Sequence, residues 1–262
     1  MNKCNENNKI VHLLWTGGWD STFRLTCLLF FEKKPVQPIY LIDPDRKSTQ
    51  QELNAMEIIR QELMNKSPEV SNLLLPTKIF QVSEIAPCQE ITEKFLRLRA
   101  RFFRLGSQYD WLARFAEQHQ IKSIELSIEK DLRETHFFFK YLKGKLVEER
   151  GIVKLGLPVE DNDLEIFKYY EIVLNNTTKL EMMNYSKKHH FYELMLNSWF
   201  CHSPINGKPC GWCSPCRDAM KEGFGFRIPA KSRARYYLRK FVRISKAKLH
   251  IKKAELIITK KT

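Results

Sequence analysis

The sequence predicts an α/β fold: a parallel sheet covered by helices, followed by a metal-binding C-terminal segment and a basic helical tail. Three observations carry that expectation. The chain opens with an apolar run, Lys9–Trp15, that passes through a glycine turn into the apolar stretch Phe23–Phe31. Strand-like and helix-like patterns then alternate, which is how a parallel sheet with crossover helices reads. Four of the seven cysteines fall between positions 201 and 216, a clustering that indicates a metal site rather than a disulfide framework.

The elements follow in order. Lys9–Trp15 is expected as the first strand, and the turn Thr16-Gly17-Gly18-Trp19-Asp20-Ser21-Thr22 delivers the chain into a helix. Pro35–Asp43 is expected as the second strand, and Gln50–Met64 places Leu53, Met56, Ile59 and Leu63 at helical spacing. A third strand at Lys78–Val82 completes a β-α-β-α-β series. Phe95–Gln118 reads as helix with an interruption near Gly106, and Ile121–Ile128 alternates apolar and polar residues as a fourth strand does. Between Leu132 and Leu157 no element is assigned, although His136–Leu142 is strongly aromatic. Leu164–Leu174 and Leu180–His190 read as helices. The expected division is an α/β domain over 9–195, a cysteine segment over 196–226 and a basic tail over 227–262.

Composition bounds the function classes. The 262 residues are 43% apolar and 28% charged, so disordered and collagen-like readings are excluded. No run reaches the roughly 18 apolar residues of a spanning helix. The start reads as structure instead of a signal peptide, so a reducing cytoplasm is the expected location and no membrane partner is expected. The net charge of +14 is uneven: from Arg227 onward, thirteen Lys or Arg face the single Glu255. Only that tail invites a nucleic-acid or anionic-surface argument.

A strand that feeds two glycines into a helix N-terminus builds an anion site, because glycine lets the backbone approach and the first amides point at the ligand. Thr16, Ser21 and Thr22 add hydroxyls. Asp20 is informative: a carboxylate beside a phosphate cradle repels the ligand unless a divalent cation lies between them, so Mg2+ with a nucleotide is implied. The alternative is an ordinary strand-to-helix turn with Asp20 and Ser21 as caps. The segment lacks the Gly-Lys-Ser/Thr ending of a Walker loop and the third glycine of a dinucleotide fingerprint.

Cys201, Cys210, Cys213 and Cys216 are separated by eight, two and two residues, with Pro204, Gly207, Pro209, Gly211 and Pro215 turning the chain between them. Four thiolates suit a closed, structural Zn2+ site. A Cys-x2-Cys-x2-Cys run also occurs in iron-sulfur proteins, so a cluster stays the rival reading.

Thr-Gly-Gly-x-Asp-Ser-Thr after the first strand of an α/β series resembles the pyrophosphatase loop, or PP-loop, of ATP pyrophosphatases, with threonine in place of the leading serine. The loop taken with Ser198-Trp199-Phe200-Cys201, the eight-residue gap and Cys-Gly-x-Cys-x-x-Cys-Arg is similar to the 7-cyano-7-deazaguanine synthase family. Softer matches are Glu52-Leu53, Ala113–Glu117 and Lys179–Met182. The resemblance implies a Rossmann-like fold of the adenine nucleotide alpha hydrolase type. It implies ATP split between its α and β phosphates to adenylate a carboxylate on a 7-deazaguanine-type substrate, which ammonia or another amine then converts to an amide or nitrile. ATP, Mg2+ and Zn2+ are the implied cofactors. Thr16, Gly17, Gly18, Trp19, Asp20, Ser21 and Thr22 are the implied nucleotide-binding residues, with Asp20, Ser21 and Lys179 catalytic. Lys179 is the candidate cation for the leaving pyrophosphate; its plainer reading is a solvated lysine at a helix start.

The chain departs from the family at substrate-side positions: Asp43-Pro44-Asp45-Arg46, Leu105-Gly106-Ser107-Gln108 and Ser127–Glu134. Nucleotide chemistry therefore transfers better than substrate identity, and a divergent paralogue is expected. Two further readings stay open: a tRNA-modifying PP-loop enzyme that adenylates an RNA base, and an ATP-binding subunit of a complex. In the tail, Lys231, Arg233, Arg235, Arg239 and Lys240 alternate with Tyr236, Tyr237 and Phe241, a pattern for a nucleic-acid or protein partner. A docking helix that packs Tyr237, Leu238 and Phe241 is the alternative. A homodimer is left open.

Overall fold

The computed structural model describes residues 9–102, 105–130, 141–142, 144–174 and 176–241, and the chain divides into two units between Trp199 and Phe200. In the first unit, β1 (Val11–Leu14), α1 (Trp19–Phe30), β2 (Val36–Ile42), α2 (Thr49–Lys66), α3 (Pro68–Leu73) and β3 (Lys78–Gln81) follow one another. Two helices, α4 (Gln89–Arg101) and α5 (Gln108–Gln118), lead to β4 (Ile124–Ser127). A hairpin of β5 (Leu146–Glu149) and β6 (Ile152–Leu155) precedes β7 (Tyr170–Val173), and α6 (Lys179–Lys188) and α7 (Tyr192–Leu196) close the unit.

The seven strands lie in the order β3-β2-β1-β4-β7-β6-β5. The first five of these are mutually parallel, and β6 and β5 extend the sheet antiparallel. Alternation along β2 sorts the two faces. Ile39 and Leu41 join Phe95, Leu98, Leu112 and Phe115 of α4 and α5 in one core, together with Ile124, Leu126 and Ile172. Tyr40 turns the other way, where its hydroxyl donates to Glu52 of α2 at 2.8 Å, and Trp15 likewise donates to Thr22 of α1 at 3.2 Å. Helices on both faces bury the central strands, which is why Val36–Leu41 reads as one unbroken buried run.

The chain leaves β1 toward β2 and β3 on one side and reaches β4 on the other. The order therefore reverses between β1 and β4, the switch point where open α/β sheets form a crevice at the carboxyl ends of their strands.

Two expectations change. Leu164–Leu174 is not a helix: a short 3-10 turn, Asn162–Phe167, leads into β7, whose Tyr170, Ile172 and Val173 are buried. A short apolar run that is buried on both faces carries no period, and here the β-branched and aromatic residues decide for strand. The stretch left unassigned before Leu157 holds the β5–β6 hairpin, while most of the aromatic segment 136–142 lies outside the described residues. The basic run on α4 has a structural use: Arg97 and Arg101 pair with Asp163, and Arg101 also pairs with Asp161.

In the second unit, α8 (Ser214–Lys221) begins directly after Cys213 and carries Cys216 in its first turn, and a helix α9 runs over residues 230–241 to the end of the described region.

Candidate nucleotide cleft and metal centre

The glycine turn sits at the switch point. Gly17 has φ of +65°, and an added Cβ would stand 3.0 Å from Met56 Cγ and 3.1 Å from the Glu52 carbonyl, so α2 can approach the turn only because residue 17 has no side chain. The Gly17 carbonyl accepts the Trp199 amide at 2.8 Å. Gly18 is the N-cap of α1, and the first intrahelical bond runs from the Thr22 amide to the Gly18 carbonyl at 3.0 Å. The amino end of α1, the positive end of its dipole, therefore meets the carboxyl ends of β1 and β4.

A cleft of about 190 Å³ lies there. Thr16, Gly18, Asp20 and Ser21 line it from the turn, and Gln108, Tyr109 and Ser127 line it from α5 and β4. Its size suits a phosphate or pyrophosphate group, since pockets that enclose a whole ligand run from about 300 Å³ upward. The Ser127 hydroxyl is buried with no hydrogen-bond partner among the described residues, so the cleft holds a polar atom able to bond to a ligand or to water. The remaining turn residues face inward. Trp19 and Thr22 are buried, and Thr22 is held by Trp15.

Gln108 and Ser127 belong to the segments where the sequence departs from the resembled family, and the fold brings both into the cleft that the glycine turn opens. A third departing segment, Asp43–Arg46, precedes α2. The buried Glu52 accepts hydrogen bonds from Tyr40, from Ser48 at 2.7 Å and from Arg46 at 3.2 Å. Burial first, and then the Glu52 charge, push the Tyr40 phenol well above its ordinary range, so it stays a donor. Nothing in the residue types around Tyr109 or Ser127 marked them singly; only the topology unites them with the turn.

Lys179 opens α6, where Thr178 and Glu181 form a reciprocal capping box, and its ammonium pairs with Glu129 just beyond β4. It does not line the cleft.

In the second unit the four cysteines converge, with all Sγ atoms within 4.8 Å of one another. Cys213 and Cys201 are separated by 3.8 Å, and Cys210 and Cys216 by 3.9 Å. Backbone amides of Cys210, Trp212 and Cys213 donate to sulfur, as they do around sulfur ligands that carry negative charge. Hydrogen bonds from Cys201 and Cys216 hold the Cys213 thiol far below its ordinary range and push those two thiols up. Four adjacent thiols cannot all ionise unless a cation joins them, and this donor set fits a soft or borderline metal ion.

Beside the cysteines, Trp212 carries the guanidinium of Arg239 at 4.4 Å and that of Arg235 at 5.3 Å from its ring centre. A cavity of about 390 Å³ is lined by Trp212, Tyr236, Arg217, Lys221, Arg239 and Lys240. Tyr237, Leu238 and Phe241 on α9 are exposed.

No family model and no curated protein matches the chain. Among solved structures it is similar to the U34-tRNA thiolase NcsA from Methanococcus maripaludis with its 4Fe-4S cluster, at 13% identity and a TM-score of 0.45, over 91% of this chain and 73% of that one. It is also similar to a 4-thiouridine synthetase in complex with RNA and bound ATP, at 12% identity and a TM-score of 0.37, over 84% of this chain and 50% of that one. At that distance neither carries an activity to this chain. Among the described residues, no helix is long and apolar enough to cross a membrane.

Proposed function

We propose that the first unit binds Mg-ATP at the turn between β1 and α1 and transfers AMP to an acceptor, with release of pyrophosphate. The observation that supports this most is the cleft at the switch point, lined by Thr16, Gly18, Asp20 and Ser21. Bound there, Mg-ATP would supply an electrophilic α phosphorus and a pyrophosphate leaving group. The amino end of α1 would hold the anionic charge, and the Thr16 and Ser21 hydroxyls would donate to phosphate oxygens. Asp20 would ligate the magnesium that makes its own carboxylate tolerable beside phosphate. Trp15, by fixing Thr22, would keep the first turn of α1 in place. Lys179 would neutralise charge on the departing pyrophosphate once its pair with Glu129 opens.

The acceptor we propose is a carboxylate on a 7-deazaguanine-type molecule. A carboxylate oxygen attacks the α phosphorus, the bond to pyrophosphate breaks, and ammonia or an amine then displaces AMP to leave an amide. The combination of glycine turn and cysteine spacing supports this finer reading. Zinc is our choice for the metal, in a structural role, because a tetrahedron with zinc–sulfur bonds of about 2.3 Å has edges near 3.8 Å; two of the sulfur separations are 3.8 and 3.9 Å, and all lie within 4.8 Å.

A second reading makes an RNA base the acceptor of AMP. It is favoured by the cationic and aromatic cavity around Trp212 and Tyr236, which suits the stacking and phosphate contacts of an unpaired strand. One experiment separates the two. AMP and pyrophosphate release from Mg-ATP is measured with 7-carboxy-7-deazaguanine and ammonia, and separately with unmodified tRNA, followed by mass spectrometry. Release with the acid and a product of amide or nitrile mass supports the first reading, and release with RNA alone supports the second. Release with neither would contradict both acceptors.

A further inference from the structure

A cavity of about 580 Å³ lies at the opposite edge of the sheet from the glycine turn, near the amino ends of β1, β3, β4 and β7. The proposed adenylation chemistry does not use it. Its volume falls within the range of pockets that enclose a small ligand, roughly 300–1,000 Å³.

Its walls are of two kinds. Ile39, Ile121 and Ile152 give apolar surface, and Phe80 stands with its ring centre 4.8 Å from that of His119. Around them are the ammonium groups of Lys9, Lys34, Lys78 and Lys122 and the imidazoles of His12 and His119. Lys34 is engaged with Glu32 at 2.9 Å, whereas Lys9, Lys78 and Lys122 make no ion pair with a described residue. Of the two lining carboxylates, Glu125 is already held by Arg24 through two bonds, which leaves Glu171 alone to oppose an anion.

We propose that this cavity is a second ligand site, which takes a small phosphorylated molecule bearing an aromatic ring. The lysines meet the phosphate, and the Phe80 and His119 rings with the isoleucines meet the ring. The field at the site is positive enough to be felt by its own histidine: burial, then Lys78 and Lys9, hold His12 below its ordinary range. An anion seated among those lysines must raise the His12 value again, by linkage. The inference stands independently of the nucleotide reading at the glycine turn.

The test follows the His12 ring signals by NMR in the full chain, assigned with His12→Gln, while AMP, inorganic pyrophosphate or adenosine is added. AMP is expected to move them saturably and to raise the His12 pKa. Because Lys78 and Lys122 are exposed, Lys78→Gln/Lys122→Gln should fold normally and weaken AMP by about tenfold. Asp20→Ala, which alters only the glycine turn, should leave this binding unchanged, so that failure of either site is distinguishable from failure of the other. Adenosine binding as tightly as AMP would overturn the phosphate contact, and pyrophosphate binding as tightly as AMP would overturn the ring contact. Absence of any His12 response to AMP would overturn the site.

Discussion

Arg24 of α1 grips Glu125 of β4 with two hydrogen bonds, 2.7 Å from Nε and 2.8 Å from Nη2, and so ties the helix that follows the glycine turn to the strand across the switch point. Arg24 also pairs with Glu32. Both partners of the main pair are sequestered, with side chains 11% and 3% exposed. Removal of one member leaves a buried charge uncompensated, so Arg24→Ala is expected to destabilise the first unit by about 3–5 kcal/mol. Chemical denaturation of Arg24→Ala, Glu125→Leu and the double variant measures this; the double variant should recover part of the loss.

The same network sets a pH dependence. Burial alone would raise the Glu32 carboxyl, but the charge of Arg24 and the contact from Lys34 hold it below its ordinary 4.5. A depressed folded value means that the contribution is complete above the unfolded value and is lost as pH falls through the folded one. Glu32→Gln should therefore flatten the acid limb of a stability–pH curve below about pH 5 and leave the alkaline limb unchanged.

Gly17 and Gly18 are expected to fail differently. Gly17→Ala places a Cβ at a φ of +65° against Met56 and the Glu52 carbonyl, and should cost about 1–3 kcal/mol of stability. Gly18 has φ of −76°, and its nearest obstacle is Thr16 Oγ1 at 3.3 Å. Gly18→Ala should fold with a change below about 1 kcal/mol and lose anion binding, because the methyl enters the cleft. Thermal melts set beside pyrophosphate titrations distinguish the two.

The four-cysteine cluster makes a countable claim. One zinc per chain is expected by elemental analysis, with Cys213→Ser losing the metal and destabilising the second unit by several kcal/mol. Iron and acid-labile sulfide in the purified protein would exclude the zinc assignment.

Legibility of the fold tracked how far each element declared its own period. The β1–α1 turn, β2, α2 and β3 were readable because Gly17-Gly18 punctuates the chain and Leu53, Met56, Ile59 and Leu63 repeat at helical spacing. The run ending in β7 misled, since Leu164, Ile166, Phe167, Tyr170 and Ile172 are apolar in a spacing that suits a helix as well as a buried strand. The cysteine centre was legible by spacing alone. The cleft was legible on one side only. Asp20 and Ser21 announce themselves beside the glycines, but Ser127 joins them through the pairing of β4 beside β1 and Tyr109 from α5, long-range placements that no local pattern encodes.

Lys179 offers a sharper separation of roles. If it stabilises the leaving pyrophosphate, Lys179→Gln should lower kcat by about 10²–10³ with ATP affinity retained, and Glu129→Gln should leave kcat largely intact. If its work is the pair with Glu129, both substitutions should give the same loss of stability and the same kinetics.

The central claim is that the turn between β1 and α1 holds Mg-ATP, and calorimetric titration of ATP into the wild-type chain and Asp20→Ala, each with and without Mg2+, tests it most directly. The expected result is magnesium-dependent binding by the wild type that Asp20→Ala weakens by about 10²-fold while its melting temperature is retained. Equal ATP affinity in the two proteins, with the same magnesium dependence, would place the nucleotide elsewhere and contradict the account.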